Sequence, residues 1–279
     1  MKRHRKRWDS DRHWEYYGQN NPYYGVSPHS RLRQENINEE SLREFFESGQ
    51  EYVSFVLSVV RDHIDASFKP SRSLDFGCGV GRLTLALASV SDFVTGVDVS
   101  ESMIQEARKN SERVSMSNVE FRRMDNDWST LYGQYDLVNS FIVLQHIPQE
   151  RGELLFRKLI KLLKDGGVGA LHLTYCNVNS TSVVNRAKAA AREMAGQAFE
   201  RLPIVFGMWN VIKGRPFHQS LGRISKKPEP PMLMENYDLN RIFGILQEEN
   251  CHSVVTRFTN HSGHLGVILF FRKKSLKMW

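Results

Sequence analysis

The stretch that most constrains this chain is Ser73–Thr84, SLDFGCGVGRLT. An apolar run carrying one acid ends in glycines spaced G-x-G-x-G, at Gly77, Gly79 and Gly81, and a helix-like run follows. A strand that stops at glycines and turns into a helix lets the backbone approach a ligand, because glycine has no Cβ and reaches conformations closed to other residues. The spacing is not the G-x-G-x-x-G of dinucleotide binding. Asp75, two residues before the first glycine, points the same way. Its carboxylate repels a pyrophosphate and attracts a ligand carrying an amino group and a sulfonium.

A second acid suits such a ligand. Asp98 follows Asp75 by 23 residues, within TGVDVSESMIQEAR (Thr95–Arg108), where the next strand-like run ends. A carboxylate there can accept hydrogen bonds from both hydroxyls of a ribose. Ser100 is placed to cap the following helix.

Around these turns strand-like and helix-like segments alternate, which indicates a parallel sheet with covering helices. Strands are expected at 73–77, 93–99, 119–124, 135–143, 169–175, 253–260 and 265–273. Helices are expected at about 80–90, 101–112, 149–164 and 238–249, after a longer one from Glu39 to about Ile64. The last two strands are separated by His261–His264 and are expected to pair as an antiparallel hairpin. Residues 1–38 read as an irregular segment rich in Arg, Asn, Tyr and Trp. Residues 39–279 read as one α/β domain, with 180–235 as an insertion carrying an Ala/Arg-rich helix near 182–200.

With these residues in place, the chain resembles the class I S-adenosylmethionine-dependent methyltransferases. LDFGCGVGRLT is similar to the family's first motif, GVDVSESMI to its ribose turn and VEFRRMDNDW to its adenine-side loop. YDLVNSFIVLQHI resembles its fourth strand, and LLKDGGVGALHLT the turn into its fifth. The resemblance implies a Rossmann-like, seven-stranded, mostly parallel sheet with an antiparallel last strand. The N-terminal segment would serve as a lid and the insertion as a substrate cap. It implies S-adenosyl-L-methionine as cofactor, with Asp75 facing the methionine amino group and Gly77, Gly79 and Gly81 passing under methionine and ribose. Asp98 would hold the ribose hydroxyls and Val99 would lie beside the adenine. Met103 would pack on the ring, Asp125 or Asn126 would meet the adenine amino group, and Phe141 would hold the amino end of methionine.

Acceptor-side residues are expected at the carboxyl edge of the sheet, where ligands of such folds bind. His146, in VLQHIPQER after the fourth strand, is a candidate general base, since an imidazole titrates near neutrality. His261 and His264, with Asn260, sit in the expected hairpin turn and are expected to project toward the substrate. His172, inside a strand, reads as a core histidine. The aromatic segment HWEYYGQNNPYYGV, with Trp14, Tyr16, Tyr17, Tyr23 and Tyr24, is expected to close over the cofactor on the family resemblance.

The family's base-methylating enzymes carry [D/N]-P-P-[Y/F] after the fourth strand, where this chain has NSFI, and its metal-dependent catechol enzymes carry carboxylates where this chain has LQHIP and CNVN. The resulting expectation is O-methylation of a small-molecule or saccharide hydroxyl. N-methylation of an amino sugar or other small amine is the alternative, and a non-catalytic cofactor-binding protein is the reading from another class. A net charge of +7, partly from MKRHRKR at residues 1–7, leaves an anionic acceptor open. Charge alone supports nucleic acid, which is disfavoured. Three separated cysteines, no run long enough to span a membrane and no apolar segment behind the basic N-terminus lead to an expected cytoplasmic location without a metal.

Overall fold

The structure, a computed structural model, describes residues 9–124, 134–178 and 229–274. Seven strands form one mixed sheet in the order β3-β2-β1-β4-β5-β7-β6, with the last strand antiparallel. They are β1 (Arg72–Phe76), β2 (Phe93–Asp98), β3 (Val119–Arg123), β4 (Tyr135–Ser140), β5 (Leu163–Asn177), β6 (Cys251–His261) and β7 (His264–Lys273). β1 pairs in parallel with both β2 and β4. The connections therefore diverge at β1, and the crevice at its carboxyl end is the switch point where such sheets bind ligands.

Residue alternation along the strands splits the core into two layers. On β7, Leu269 and Phe271 join one cluster with helix α6 (Gln149–Leu162) and helix α7 (Leu239–Glu248). Ile268 and Phe270 join the other, with helix α3 (Glu39–His63) and helix α4 (Arg82–Ala88). Successive strand side chains point to opposite faces, so a sheet covered on both sides needs apolar residues at every position. Each such side chain stabilises the fold by about 1.5–3 kcal/mol on burial. α3 starts at Asn38, whose side chain accepts from the Ser41 amide while Ser41 bonds back, a capping box.

Three expectations are corrected. The segment expected to be irregular contains helix α1 (Ser10–Asn20) and helix α2 (Pro22–Val26), followed by a 3-10 turn at Ser30–Leu32. Asp9 caps α1 by accepting from the Arg12 amide, and Tyr17 and Tyr23 are buried with Val80 and Met103. The aromatic run thus carries an apolar face that packs on helix α5 (Glu101–Arg113). β4 stops at Ser140 rather than residue 143, because Ile142 takes a φ of 59° that a strand cannot continue through. β5 begins at Leu163 rather than 169, pairing Leu163 with Tyr135 before a register shift across the glycines.

Two compact units divide the chain. The first comprises Met1–Cys176, Met232–His261 and Leu265–Trp279, and the second comprises Asn177–Pro231 with Ser262–His264. The expected insertion therefore gives up residues 232–235 to the first unit, where the Glu235 amide donates to the Gln145 carbonyl at 2.7 Å. The helix expected near 182–200 lies outside the described residues. In the second unit, the Val178 amide donates to the Gly263 carbonyl at 3.0 Å. The β6–β7 turn is only Ser262–Gly263, with φ values of 54° and 89°, the left-handed pair that a tight hairpin requires. Among the described residues, no helix is long and apolar enough to cross a membrane.

Candidate functional site

Beyond Phe76 the chain leaves β1 through the glycines. The amides of Gly77 and Cys78 both donate to the Val97 carbonyl, at 2.8 and 3.0 Å, which ties the turn to β2. Gly77 and Gly79 adopt φ values of 74° and 51°. A Cβ on Gly77 would collide with Val143, and one on Gly79 would lie 2.5 Å from Val26. Both glycines are thus required by conformation and by space. Gly81 departs from expectation. Its φ is 87°, but its neighbours are Phe121 and Ala107, so it serves the packing of α4 and not the ligand side.

Two carboxylates stand behind the turn. Asp98 accepts from the Gly79 amide and from the Ser100 amide, each at 2.9 Å. Removal from water pushes its pKa up to about 6, against the pull of those amides. Asp75 is fully buried and accepts from Thr84 Oγ1 at 2.8 Å and Asn139 Nδ2 at 3.1 Å. Burial raises its pKa, and the two bonds oppose the rise.

Above these groups lies a cavity whose wall they help to form. Its wall includes Asp75, Gly77, Gly79, Asp98, Val99, Met103 and Phe141, all expected from sequence. Asp125 and Asn126 lie outside the described residues. The wall also holds residues that the sequence did not single out: Arg82, Met124, Ile142, Val143 and Arg151. Arg151 forms a two-pronged ion pair with Asp11, at 2.7 and 3.0 Å, and both line the cavity. Nothing in the local sequence marks Arg151. It stands in a polar first helical turn, and only tertiary placement brings it to the site.

The N-terminal helices reach the cavity, but not through the expected tyrosines. Trp14, Gly25 and Val26 form part of its wall. Tyr17 is buried in the packing cluster, Tyr16 packs beside it, and Tyr24 lies under the Arg33 guanidinium at 3.8 Å. Those three hold the helices down instead of facing the ligand side. Glu15 fastens α1 to the start of α5 by accepting from the hydroxyls of Ser100 and Ser102, at 2.8 and 2.6 Å. Tyr23 fastens α2 by contacts at 2.9 Å to Glu106 and Asn110.

Of the three candidate histidines, His146 is the one on the described cavity wall. It is buried in a 3-10 turn, Leu144–His146, and its Nδ1 lies 2.6 Å from the Leu233 carbonyl. A carbonyl only accepts, so Nδ1 carries the proton and Nε2 is the basic nitrogen. Trp14 meets the imidazole edge-on, with ring centroids 5.0 Å apart. His261 instead packs against Phe141 and His172, at centroid distances of 5.8 and 5.5 Å. His264 opens β7 and belongs to the second unit. His172 is fully buried, bonded through Nε2 to Thr259 at 2.9 Å, and burial pushes its pKa down to about 3, so it stays neutral. Among the described residues, no cluster of three His, Cys, Asp or Glu side chains is arranged to hold a metal.

Three charged side chains, Asp75, Arg82 and Asp98, thus share the cavity wall with apolar Val99, Met103 and Phe141.

Comparison with known proteins adds to this picture. A methyltransferase-domain family matches residues 74–167. The ubiquinone biosynthesis O-methyltransferase of Coxiella burnetii is 29% identical over 148 residues, 49% of this chain and 62% of that protein. The magnesium-protoporphyrin O-methyltransferase of Synechocystis is 36% identical over 88 residues, 32% of this chain and 38% of that protein. The chain thus spans less than two-thirds of the length of these relatives. The crystal structure of magnesium protoporphyrin IX methyltransferase from Synechocystis with bound S-adenosylmethionine shares the fold, at TM-score 0.55 and 18% identity over 96% of this chain and 99% of that one. An N-methyltransferase from Bradyrhizobium japonicum in complex with S-adenosylhomocysteine does so at 0.53 and 14%, over 96% and 100%. At these identities the structural likeness concerns the fold.

Proposed function

From the methyltransferase-domain match over residues 74–167 and the shared fold, we propose that the chain is a class I S-adenosylmethionine-dependent methyltransferase that binds S-adenosylmethionine in this cavity and methylates a hydroxyl oxygen of a small-molecule or saccharide acceptor. The observation that carries the reading is His146, a buried imidazole on the cavity wall whose proton is held at Nδ1 by the Leu233 carbonyl. The two O-methyltransferase relatives support the same atom type.

The residues present fit the cofactor. Asp98 would accept from the ribose hydroxyls with the lone pairs left by Gly79 and Ser100. Gly77 and Gly79 take the left-handed backbone that the turn needs, and both line the cavity. Asp75, fixed by Thr84 and Asn139, would face the ammonium group. When bound, the cofactor supplies an electrophilic methyl group on sulfur. The chain aligns the acceptor and excludes water, with Trp14 and Val26 covering the cavity from α1 and α2. His146 withdraws the hydroxyl proton onto Nε2 while Leu233 fixes the ring.

The test uses cofactor bearing a deuterated methyl group and a panel of phenols, sugars and their amino counterparts, read by mass spectrometry. Label should appear on hydroxyl acceptors and require His146. Transfer confined to amines, with His146→Gln at full rate, would replace this reading with N-methylation.

A further inference from the structure

Helices α6 and α7 border a surface groove of their own, to which α6 contributes Leu154 and α7 contributes Gly244. Leu154 is 64% exposed in the middle of its helix. Gly244 also sits in mid-helix, where a glycine costs stability relative to alanine, yet no described atom lies within 4 Å of the place its Cβ would take. Gly152 on α6 makes the contrast, since its missing side chain leaves room for Tyr237. A lone exposed leucine is ordinary on a protein surface. A leucine and an unfilled notch on the same face are a knob and a hole.

Their heights match. Arg241 pairs with Glu153 and Arg157 with Glu248, so the two helices run parallel and the members of each pair are level. Leu154 and Gly244 fall between these pairs and stand at about the same height. A two-fold axis running along the helices leaves heights unchanged. It lays α6 of one copy over α7 of another, and seats each Leu154 in the other copy's Gly244 notch, beside exposed Phe243. The charges agree with that register. Glu150, one turn before Leu154, comes level with Arg241, and Lys158, one turn after it, comes level with Glu248. Both are opposite pairs. An antiparallel crossing about the same knob would set Glu150 against Glu248 and Lys158 against Arg241, so charge selects the parallel arrangement.

We propose that the outer face of α6 and α7 is a homodimer interface, on which a second copy of this chain packs across a two-fold axis parallel to the helices. Each contact is then made twice, once from each chain. The proposal does not rest on the cofactor reading, since none of these residues lines the cavity.

Sedimentation equilibrium on the full chain tests it. The unaltered protein should be a dimer at concentrations on the order of micromolar. Leu154→Ala and Gly244→Leu should each raise the dimer dissociation constant by about tenfold or more, the first by removing the knob and the second by filling the notch. The double variant again sets one large side chain against one small one, and should return to within about threefold of the unaltered protein. Circular dichroism should show the helices intact in all three variants, because Leu154 is exposed and the Gly244 notch is open in the single chain. A protein that stays monomeric up to roughly 100 μM overturns the proposal without reference to any variant, and leaves the face to another occupant. A dimer that neither single variant weakens also overturns it, placing the contact on another face. Two single losses with no recovery in the double variant overturn the knob-and-notch register, and the proposal with it.

Discussion

The Asp98 carboxylate holds the Gly79 amide at 2.9 Å, so the acid that ends β2 fixes the glycine turn that ends β1. One side chain thus braces the turn and lines the cavity, and in the proposed function it would accept from the ribose hydroxyls. Asp98→Asn keeps the size and one acceptor but removes the charge. It should weaken S-adenosylhomocysteine by roughly 10- to 100-fold, as for other bonds to charged groups. Titration calorimetry checks this, with circular dichroism to confirm that the turn survives.

The same carboxyl predicts a pH dependence. Its folded pKa of about 6 lies above the ordinary value near 3.9. In the ligand-free protein the unfolded state releases this proton first, so the Asp98 contribution to stability declines as pH rises from about 4 to 6. Binding runs the other way, because the diol needs the ionised acceptor. Affinity for S-adenosylhomocysteine should fall by up to about tenfold per pH unit below 6 and be flat above it. The Asp98→Asn protein should lose that slope. A slope kept in the variant assigns the effect elsewhere.

His146→Gln should lower turnover by about 10²- to 10⁴-fold, the range for loss of a general base. Affinity for S-adenosylhomocysteine should change little. His261→Gln, altering a ring packed on Phe141 and His172, should leave the chemical step nearly intact. Single-turnover rates compare the two, and equal losses would remove His146 from the base role.

Tyr237 supports the His146 turn. Its hydroxyl lies 2.8 Å from the Leu144 carbonyl and 3.0 Å from that of Ile147, and Gly152 on α6 leaves the space that the ring needs. A methyl group at residue 152 would strike the Tyr237 hydroxyl. Gly152→Ala should therefore cost about 1–3 kcal/mol by overpacking, read from denaturant unfolding. Tyr237→Phe should cost about 1–3 kcal/mol through the orphaned carbonyls and slow turnover more than it weakens cofactor binding.

What the sequence made legible was local. Asp75, Gly77, Gly79 and Asp98 could be read because a strand end, a glycine turn and the next strand's acid follow a short-range spacing. Gly81 shared the pattern but packs on Phe121, since spacing alone does not tell which glycines face the ligand. The N-terminal segment was read by its aromatic content. Its helical spacing showed only once Tyr17 and Tyr23 were seen buried, leaving Trp14 on the cavity. Arg82 and Arg151 look like ordinary surface charges in a linear reading. Their placement comes from α3 packing on α4 and α1 lying near α6, contacts between distant parts of the chain.

The most direct measurement is calorimetric titration of the full chain with S-adenosylhomocysteine, with NAD as the control nucleotide. The cavity built on Asp75, Gly77, Gly79 and Asp98 predicts saturable S-adenosylhomocysteine binding at one site with a dissociation constant on the order of micromolar, and no comparable heat from NAD. Tight NAD binding with no response to S-adenosylhomocysteine would contradict it.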